Sequence, residues 1–208
     1  MELDPAYLVR DGGELTALYP AVLERSLRKQ IDRLDVHSRA FIAASPMVIV
    51  GTQGPEAADV SPRGDVPGFV HVADDQTLLI PDRRGNNRLD TLRNLVRNPR
   101  IGLLFLIPGI TEAFRVNGEA CLSRDPALLA RFEVNGKLPL TVIVVSVKEA
   151  YVHCARALVR ADLWNPAKHA TRESVPSMGT MLAAHTQGFV EADAFDEDAK
   201  IRVPQTLY

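Results

Sequence analysis

Residues 78–105 read LLIPDRRGNNRLDTLRNLVRNPRIGLLF, and no other run narrows the fold as far. Leu78, Leu79 and Ile80 make a short apolar strand ending at Pro81. Residues 82–87 form a turn-rich loop carrying Arg83 and Arg84. Asn86 or Asn87 can cap a following helix, because a short side-chain oxygen accepts a free backbone N–H of the first turn. Leu89, Leu92 and Val96 recur at helical spacing and predict its buried face. Asn98-Pro99 stops the helix, since proline disfavours helical geometry in the residue before it. The apolar run from Ile101 to Ile107 then predicts a strand buried on both faces.

The chemistry available in this run is anion binding. A helix N-terminus presents unpaired N–H groups and a partial positive charge. Arg83, Arg84 and Arg88 surround that end, and a guanidinium donates two parallel hydrogen bonds to a phosphate. The same residues also read as a capped helix with a solvated basic loop, since charged loops are commonly plain surface.

The flanking chain places this run among short strands. Residues 47–51 (MVIVG), 57–63 (AADVSPR), 69–72 and 77–80 are strand-like, separated by turn signals, which argues for an antiparallel sheet or barrel. Beyond Pro108-Gly109, residues 113–122 (AFRVNGEACL) alternate: Phe114, Val116, Ala120 and Leu122 share a face with Arg115 and Asn117 opposite. Gly118 marks a bend or bulge in that strand. Asp125-Pro126 starts a helix with Leu128, Leu129 and Phe132 inward, ended by Gly136. Residues 140–147 and 150–155 read as two further strands. At the start of the chain, residues 1–19 read as an arm. Leu23, Leu27, Ile31 and Leu34 predict an amphipathic helix from Pro20 onward, and residues 37–44 a second short helix. Residues 166–176 read as loop, 178–184 as a short helix, and 191–198 as an exposed acidic stretch.

At 208 residues, 46% hydrophobic and 24% charged, the chain supports one sizeable core. A net charge of −2 supplies no bulk field for nucleic acid. No apolar run is long enough for a bilayer span, and the start lacks an apolar signal core. Cys121 and Cys154 are far apart and form no CxxC, so the expectation is a cytoplasmic protein with reduced thiols and no membrane partner.

Taken together, these signals resemble the pyridoxamine 5'-phosphate oxidase-like superfamily, the FMN-binding split β-barrel. Four pieces carry the resemblance: MVIVGTQGPEAADVSPRG, LLIPD with RRGNNR, RNLVRNPRIGLLF, and FRVNGEACL. It covers roughly Phe41 to Trp164, and the VSPRGD and DRRGNNRLD loops look more like an FMN-dependent branch than the vitamin-making oxidase. The resemblance implies an α+β chain, mainly β with flanking helices. Residues 1–45 would be a helical segment packed on the barrel, 46–164 the antiparallel split barrel, and 165–208 a helix and tail of the same domain. It implies FMN in a cleft between two subunits of a homodimer, a small-molecule substrate, and oxidoreductase chemistry carried by the flavin. By position, Ser61, Pro62 and Arg63 match the early-strand phosphate segment, and Pro81, Asp82, Asn87 and Arg88 match the loop before the helix, with Arg83 beside them. One departure is that Thr91 stands where the family usually has lysine or arginine, and Arg88 lies three residues earlier.

Trp164, the only tryptophan, could stack on a flavin ring from the partner subunit or serve as an apolar plug. Arg115 could reach a ligand or lie on an outer strand face. His71 and His153 are isolated, and no HExxH or paired-cysteine spacing suggests a metal site. Two other functions remain open at this stage: a deazaflavin (F420)-dependent reductase, and a non-enzymatic flavin- or haem-binding protein, the latter requiring a histidine in the cleft.

Overall fold

The computed structural model describes residues 1–208. The chain begins with two short helices, α1 (Gly12–Leu18) and α2 (Glu24–Arg28), and then α3 (Val36–Ala44). Seven strands follow: β1 (Met47–Gln53), β2 (Ala58–Gly64), β3 (His71–Val72), β4 (Thr77–Pro81), β5 (Arg100–Leu106), β6 (Ala113–Ser123) and β7 (Val142–His153). Helix α4 (Asp90–Arg97) joins β4 to β5, and α5 (Pro126–Ala130) joins β6 to β7. Three helices close the chain: α6 (Arg156–Ala161), α7 (Met178–His185) and α8 (Ala192–Gln205). No helix is long and apolar enough to cross a membrane.

All strands join one antiparallel sheet in the order β2-β1-β5-β6-β7-β4-β3. Inward side chains of β1 (Val48, Val50) and β4 (Leu78, Ile80) belong to the same buried cluster, although three strands separate β1 from β4 in the sheet. Only a strongly curled sheet brings its two sides onto one core. No ladder joins β2 to β3, so the barrel stays open along that seam. This is the α+β split barrel that the strand pattern and the resemblance imply.

The curl has a visible origin. The β6–β7 ladder shifts register between Asn117 and Gly118, and such a bulge bends the strand and raises its twist. A Cβ on Gly118 would overlap the Ser146 carbonyl oxygen of the paired strand, so the close approach requires glycine. The core that fills the curl is well packed: Phe105, Leu103, Ile80 and Ile143 are all at most 1% exposed. Leu92 and Leu95 of α4 and Ile42 of α3 plug its ends.

Several elements differ from their sequence reading. The periodic stretch after Pro20 does not form one helix. It breaks after Arg28, because Ile31 pairs its backbone with Ala150 of β7 (3.0 and 2.8 Å) and the Leu34 N–H bonds to Asp75 O (2.6 Å). Leu34 is buried, whereas Leu23 and Leu27 are exposed. Residues 12–18, read as arm, form α1 because Asp11 caps the N–H groups of Gly13 and Glu14. Strand β5 alternates rather than being buried on both faces: Ile101, Leu103 and Phe105 face the core, while Gly102, Leu104 and Leu106 are half-buried on the outside. The strand buried on both sides is β4, because α5 and the turn after it lay Leu128, Leu129 and Phe132 over Leu79 and Val142. Residues 140–155 hold one long strand, β7, rather than two, and the acidic stretch 191–198 belongs to α8, which Glu191 caps.

Gly118→Ala adds an atom where a backbone carbonyl already stands. It is expected to lower stability by about 1–3 kcal/mol, the usual range for overpacking, read as a reduced urea midpoint with an unchanged slope.

Candidate functional site

The main candidate cleft lies along the unpaired edge of β2. A cleft of about 970 Å³ runs between β2, the end of β4, the 82–89 loop, the first turn of α4 and residues 137–140. That is the size range of pockets for drug-sized ligands and cofactors, about 300–1,000 Å³. Its lining carries five basic side chains (Arg63, Arg83, Arg84, Arg88, Lys137) against three acidic ones (Asp59, Asp82, Asp90).

A hydrogen-bonded chain joins the β2 edge to α4. Arg63 Nη1 donates to Ser61 Oγ (2.8 Å), Ser61 Oγ lies 3.0 Å from Thr91 Oγ1, and Thr91 Oγ1 donates to Asp59 Oδ2 (2.9 Å). Thr52 lies at 3.5 Å from the same carboxylate and accepts from Asn94 Nδ2 at 3.1 Å. Alternation along β2 explains the set: Asp59, Ser61 and Arg63 lie two residues apart and share one face. Thr91 and Thr52 are buried, so the network is shielded and directional rather than a solvated tangle.

The start of α4 differs from the predicted one. The helix begins at Asp90, after Asn87 and Leu89 have both taken left-handed backbone angles (φ 60° each), and no side chain caps it. Its buried residues are Thr91, Leu92 and Leu95, while Leu89 and Val96 are exposed. The Asn86 side chain instead accepts from the Arg88 N–H within the loop. The N–H groups of Thr91 and Leu92 meet no acceptor in the chain. Both bonds made by Arg63 use Nη1, to Ser61 Oγ and Pro62 O, leaving Nε and Nη2 without acceptors. Arg84 makes no hydrogen bond or ion pair. Unfilled donors on a helix start, a strand edge and a loop around one cleft fit an anion such as a phosphate ester.

The arginines are not equivalent. Arg83 is committed elsewhere: Nε pairs with Asp65 Oδ2 (2.9 Å), Nη1 donates to Phe132 O (2.6 Å), and the guanidinium lies 5.2 Å from the Tyr208 ring centre. Tyr208 donates its hydroxyl to the other Asp65 oxygen. Arg88 is exposed and paired with Asp90 at 2.8 Å. Burial alone would raise the Asp65 carboxyl, but hydrogen bonds from Tyr208, the Val66 N–H and Arg83, with the Arg83 charge, outweigh it and hold the pKa below the usual carboxylate range. Asp82 goes the other way: desolvation in the cleft raises it, and the nearby Arg63 charge only partly opposes this.

Of the residues singled out from sequence, Ser61, Pro62, Arg63, Asp82, Arg83, Asn87 and Arg88 line this one cleft. Pro81 is buried at the end of β4 and does not line it. Trp164 lies outside the cleft of its own chain, half-buried, with its indole N–H bonded to Ile110 O at 2.8 Å. Arg115 sits on the outer face of β6, bonded to Asn117 and 5.6 Å from the Tyr151 ring centre. The sequence reading missed Asp59 and Thr91 as partners, and Lys137 and Tyr208 as walls. The two-residue spacing along β2 could have found Asp59; nothing local signals Tyr208.

An open split barrel with a cleft along β2 defines a structural class. The sequence model described as pyridoxamine 5'-phosphate oxidase matches residues 34–154. The chain belongs to that family, and its fold is of the flavin-binding, pyridoxamine 5'-phosphate oxidase-like type. No curated protein matches the sequence. Among solved structures, HupZ of Group A Streptococcus aligns at 16% identity over 56% of this chain and 90% of its own, with a TM-score of 0.47. General Stress Protein 26 of Bacillus anthracis aligns at 15% identity over 54% and 88%, with a TM-score of 0.43. The FAD binding protein of Mycobacterium smegmatis aligns at 14% identity over 58% and 97%, with a TM-score of 0.40. These likenesses carry nothing about ligand or activity in this chain.

Asp65→Asn leaves the partly buried Arg83 without its charge partner, with an expected loss of about 1–3 kcal/mol at neutral pH. Because the folded carboxyl titrates below its unfolded value of about 3.9, its contribution is complete above that value and disappears as pH falls through the lower folded one. Wild type and variant should therefore converge in stability under acid, measured by urea unfolding at stepped pH.

Proposed function

We propose that this chain is an FMN-dependent oxidoreductase. The observation that carries the reading is the set of unfilled donors on Arg63, Arg84 and the uncapped first turn of α4, gathered in one cleft of a family built on the flavin-binding fold. Bound there, a flavin would supply the hydride or electron chemistry.

The chain's own residues bind and orient. Arg63 and Arg84 supply guanidinium donors to the phosphate, joined by the Thr91 and Leu92 N–H groups. The chain from Asp59 through Thr91 and Ser61 keeps Arg63 in place by accepting and passing on its hydrogen bond. Arg83 and Arg88 act at a distance: each is paired with a carboxylate and contributes field rather than a direct fork. Leu138, Pro139 and Leu140 give an apolar wall opposite the arginine loop, suited to an aromatic ring face. Asp82, whose carboxyl burial pushes up in pKa, is one of the acidic groups lining the cleft.

The reading includes a homodimer, with the cleft completed by a second copy. Support comes from the outer sheet face, where Ile49, Leu104 and Leu106 of neighbouring strands are only half-buried in one chain, and from the exposed apolar residues Leu15, Leu18 and Leu23 of the N-terminal segment. In such a dimer Trp164 would reach the partner's cleft. A deazaflavin cofactor would use the same phosphate donors and is distinguished by which cofactor is retained. No histidine of this chain lines the cleft, so the haem reading lacks an axial ligand here.

The purified protein is expected to be yellow, or to become so on adding FMN, and to release FMN on denaturation, identified by mass spectrometry. A colourless protein that takes up no FMN overturns the reading. Arg63→Ala removes a charge-assisted contact and is expected to weaken FMN binding by about ten- to a hundredfold, measured by titration calorimetry.

A further inference from the structure

Tyr208 stands between two cavities. The main cleft of about 970 Å³ and a neighbouring groove of about 540 Å³ share Gly64, Arg83, Arg84, Gly85, Asn86 and Tyr208 as lining. The far side of the groove is made by Val66 and by Arg202, Val203, Thr206 and Leu207 at the end of α8. Val66, Val203 and Leu207 give it an apolar part, and Arg83, Arg84 and Arg202 line it as well.

Three separate parts of the fold hold the tyrosine there. Its hydroxyl donates to Asp65 in the loop after β2, its ring lies 5.2 Å from the Arg83 guanidinium in the loop after β4, and its carbonyl accepts from Lys137 Nζ (2.8 Å) in the segment before β7. The chain reaches this position because α8 stops at Gln205, just past Pro204, where the Thr206 hydroxyl bonds back to Arg202 O and turns the last residues across the mouth. Asp65 is itself inaccessible, its side chain 3% exposed. The tyrosine is thus anchored to a fixed point rather than to surface.

We propose that Tyr208 is a specificity-determining wall that confines the cleft to a flavin mononucleotide and shuts out a dinucleotide. The inference rests on the flavin reading above. A mononucleotide ends at its phosphate, which the donors of Arg63, Arg84 and α4 receive on the cleft side of Tyr208. A dinucleotide continues through a second phosphate to an adenosine. From the Arg84 side, the next open volume is the groove beyond the tyrosine, whose Val66, Val203 and Leu207 would suit an adenine ring. Tyr208 lines both volumes, so a smaller side chain there would widen the passage between them beside Arg83 and Arg84.

The test measures the affinity of the full-length protein, stripped of flavin, for FMN and for FAD by titration calorimetry, in wild type and in Y208F, Y208L and Y208A. Wild type should bind FMN about tenfold or more tightly than FAD. Y208F keeps the ring and its place beside Arg83 but gives up the hydrogen bond to Asp65, so its ratio should fall between those of wild type and Y208A. Y208L should reduce it, and Y208A should bring it to within about threefold through tighter FAD binding. The Phe and Leu variants preserve the trend if the alanine variant folds poorly, as judged by its unfolding midpoint. Equal binding of FMN and FAD by wild type, an unchanged ratio in the folded Leu and Ala variants, or loss of the ratio in Y208F as large as in Y208A overturns the wall while leaving the FMN reading standing. Failure of wild type to bind either flavin overturns the functional reading and the wall with it.

Discussion

The bend between Asn117 and Gly118 is the constraint on which both core and cleft depend. The longest ladder of the sheet, β6–β7, changes register there, and the backbone of β7 approaches too closely for any side chain at Gly118. The bend lets the sheet curl until Val48 of β1 and Leu78 of β4 share one apolar interior. Without it, β2 and β4 would lie at opposite sides of a flat sheet, and Arg63 and Asp82 would not face a common space. The barrel curls far enough to build a core but leaves β2 and β3 unpaired, and the cleft along β2 is where the ligand chemistry collects.

Within that cleft, the part-buried polar chain from Arg63 through Ser61 and Thr91 to Asp59 decides how the charges are used. A buried hydroxyl or carboxylate is tolerated only with partners, and here each member partners the next. The result ties a strand edge to the start of a helix with little freedom. It also accounts for the threonine at position 91: a lysine or arginine would offer another cation, whereas threonine both accepts from and donates to its neighbours and so links two β2 side chains. The cleft's positive charge is then carried by Arg63 of β2 and the arginines of the 82–89 loop. Two of these, Arg83 and Arg88, are bound to carboxylates, leaving Arg63 and Arg84 with free donors.

Much of this was legible before any coordinates. The strand-loop-helix-strand run at 78–105, the alternation in β6 with its glycine bulge, and the grouping of Ser61, Arg63, Asp82 and Arg88 all followed from period, turn chemistry and motif resemblance. The misreadings share one cause. Leu23, Leu27, Ile31 and Leu34 have helical spacing, but Ile31 is drawn into backbone pairing with Ala150, and a local pattern cannot see a partner 119 positions away. Likewise the apolar run of β5 carries no mark of which residues meet core and which meet the outside, and the half-buried outer position of Leu104 and Leu106 becomes apparent only once the sheet is built.

The chain's order of apolar and polar residues, by itself, determined an antiparallel sheet, the place of its bend, and a basic loop leading into a helix. These depend on interactions within a few residues, or on a resemblance that encodes them. Tertiary structure alone decided that Arg83 is committed, because that depends on Asp65, Phe132 and Tyr208 arriving from distant segments to claim its guanidinium, whereas Arg88 is claimed locally by Asp90 two residues on. It alone set Tyr208 at the border of two cavities, since the position of a residue at the end of α8 is fixed by three contacts far off in sequence. Charge and periodicity are local properties of a chain, whereas the pairing of charges is a property of the space into which the chain folds.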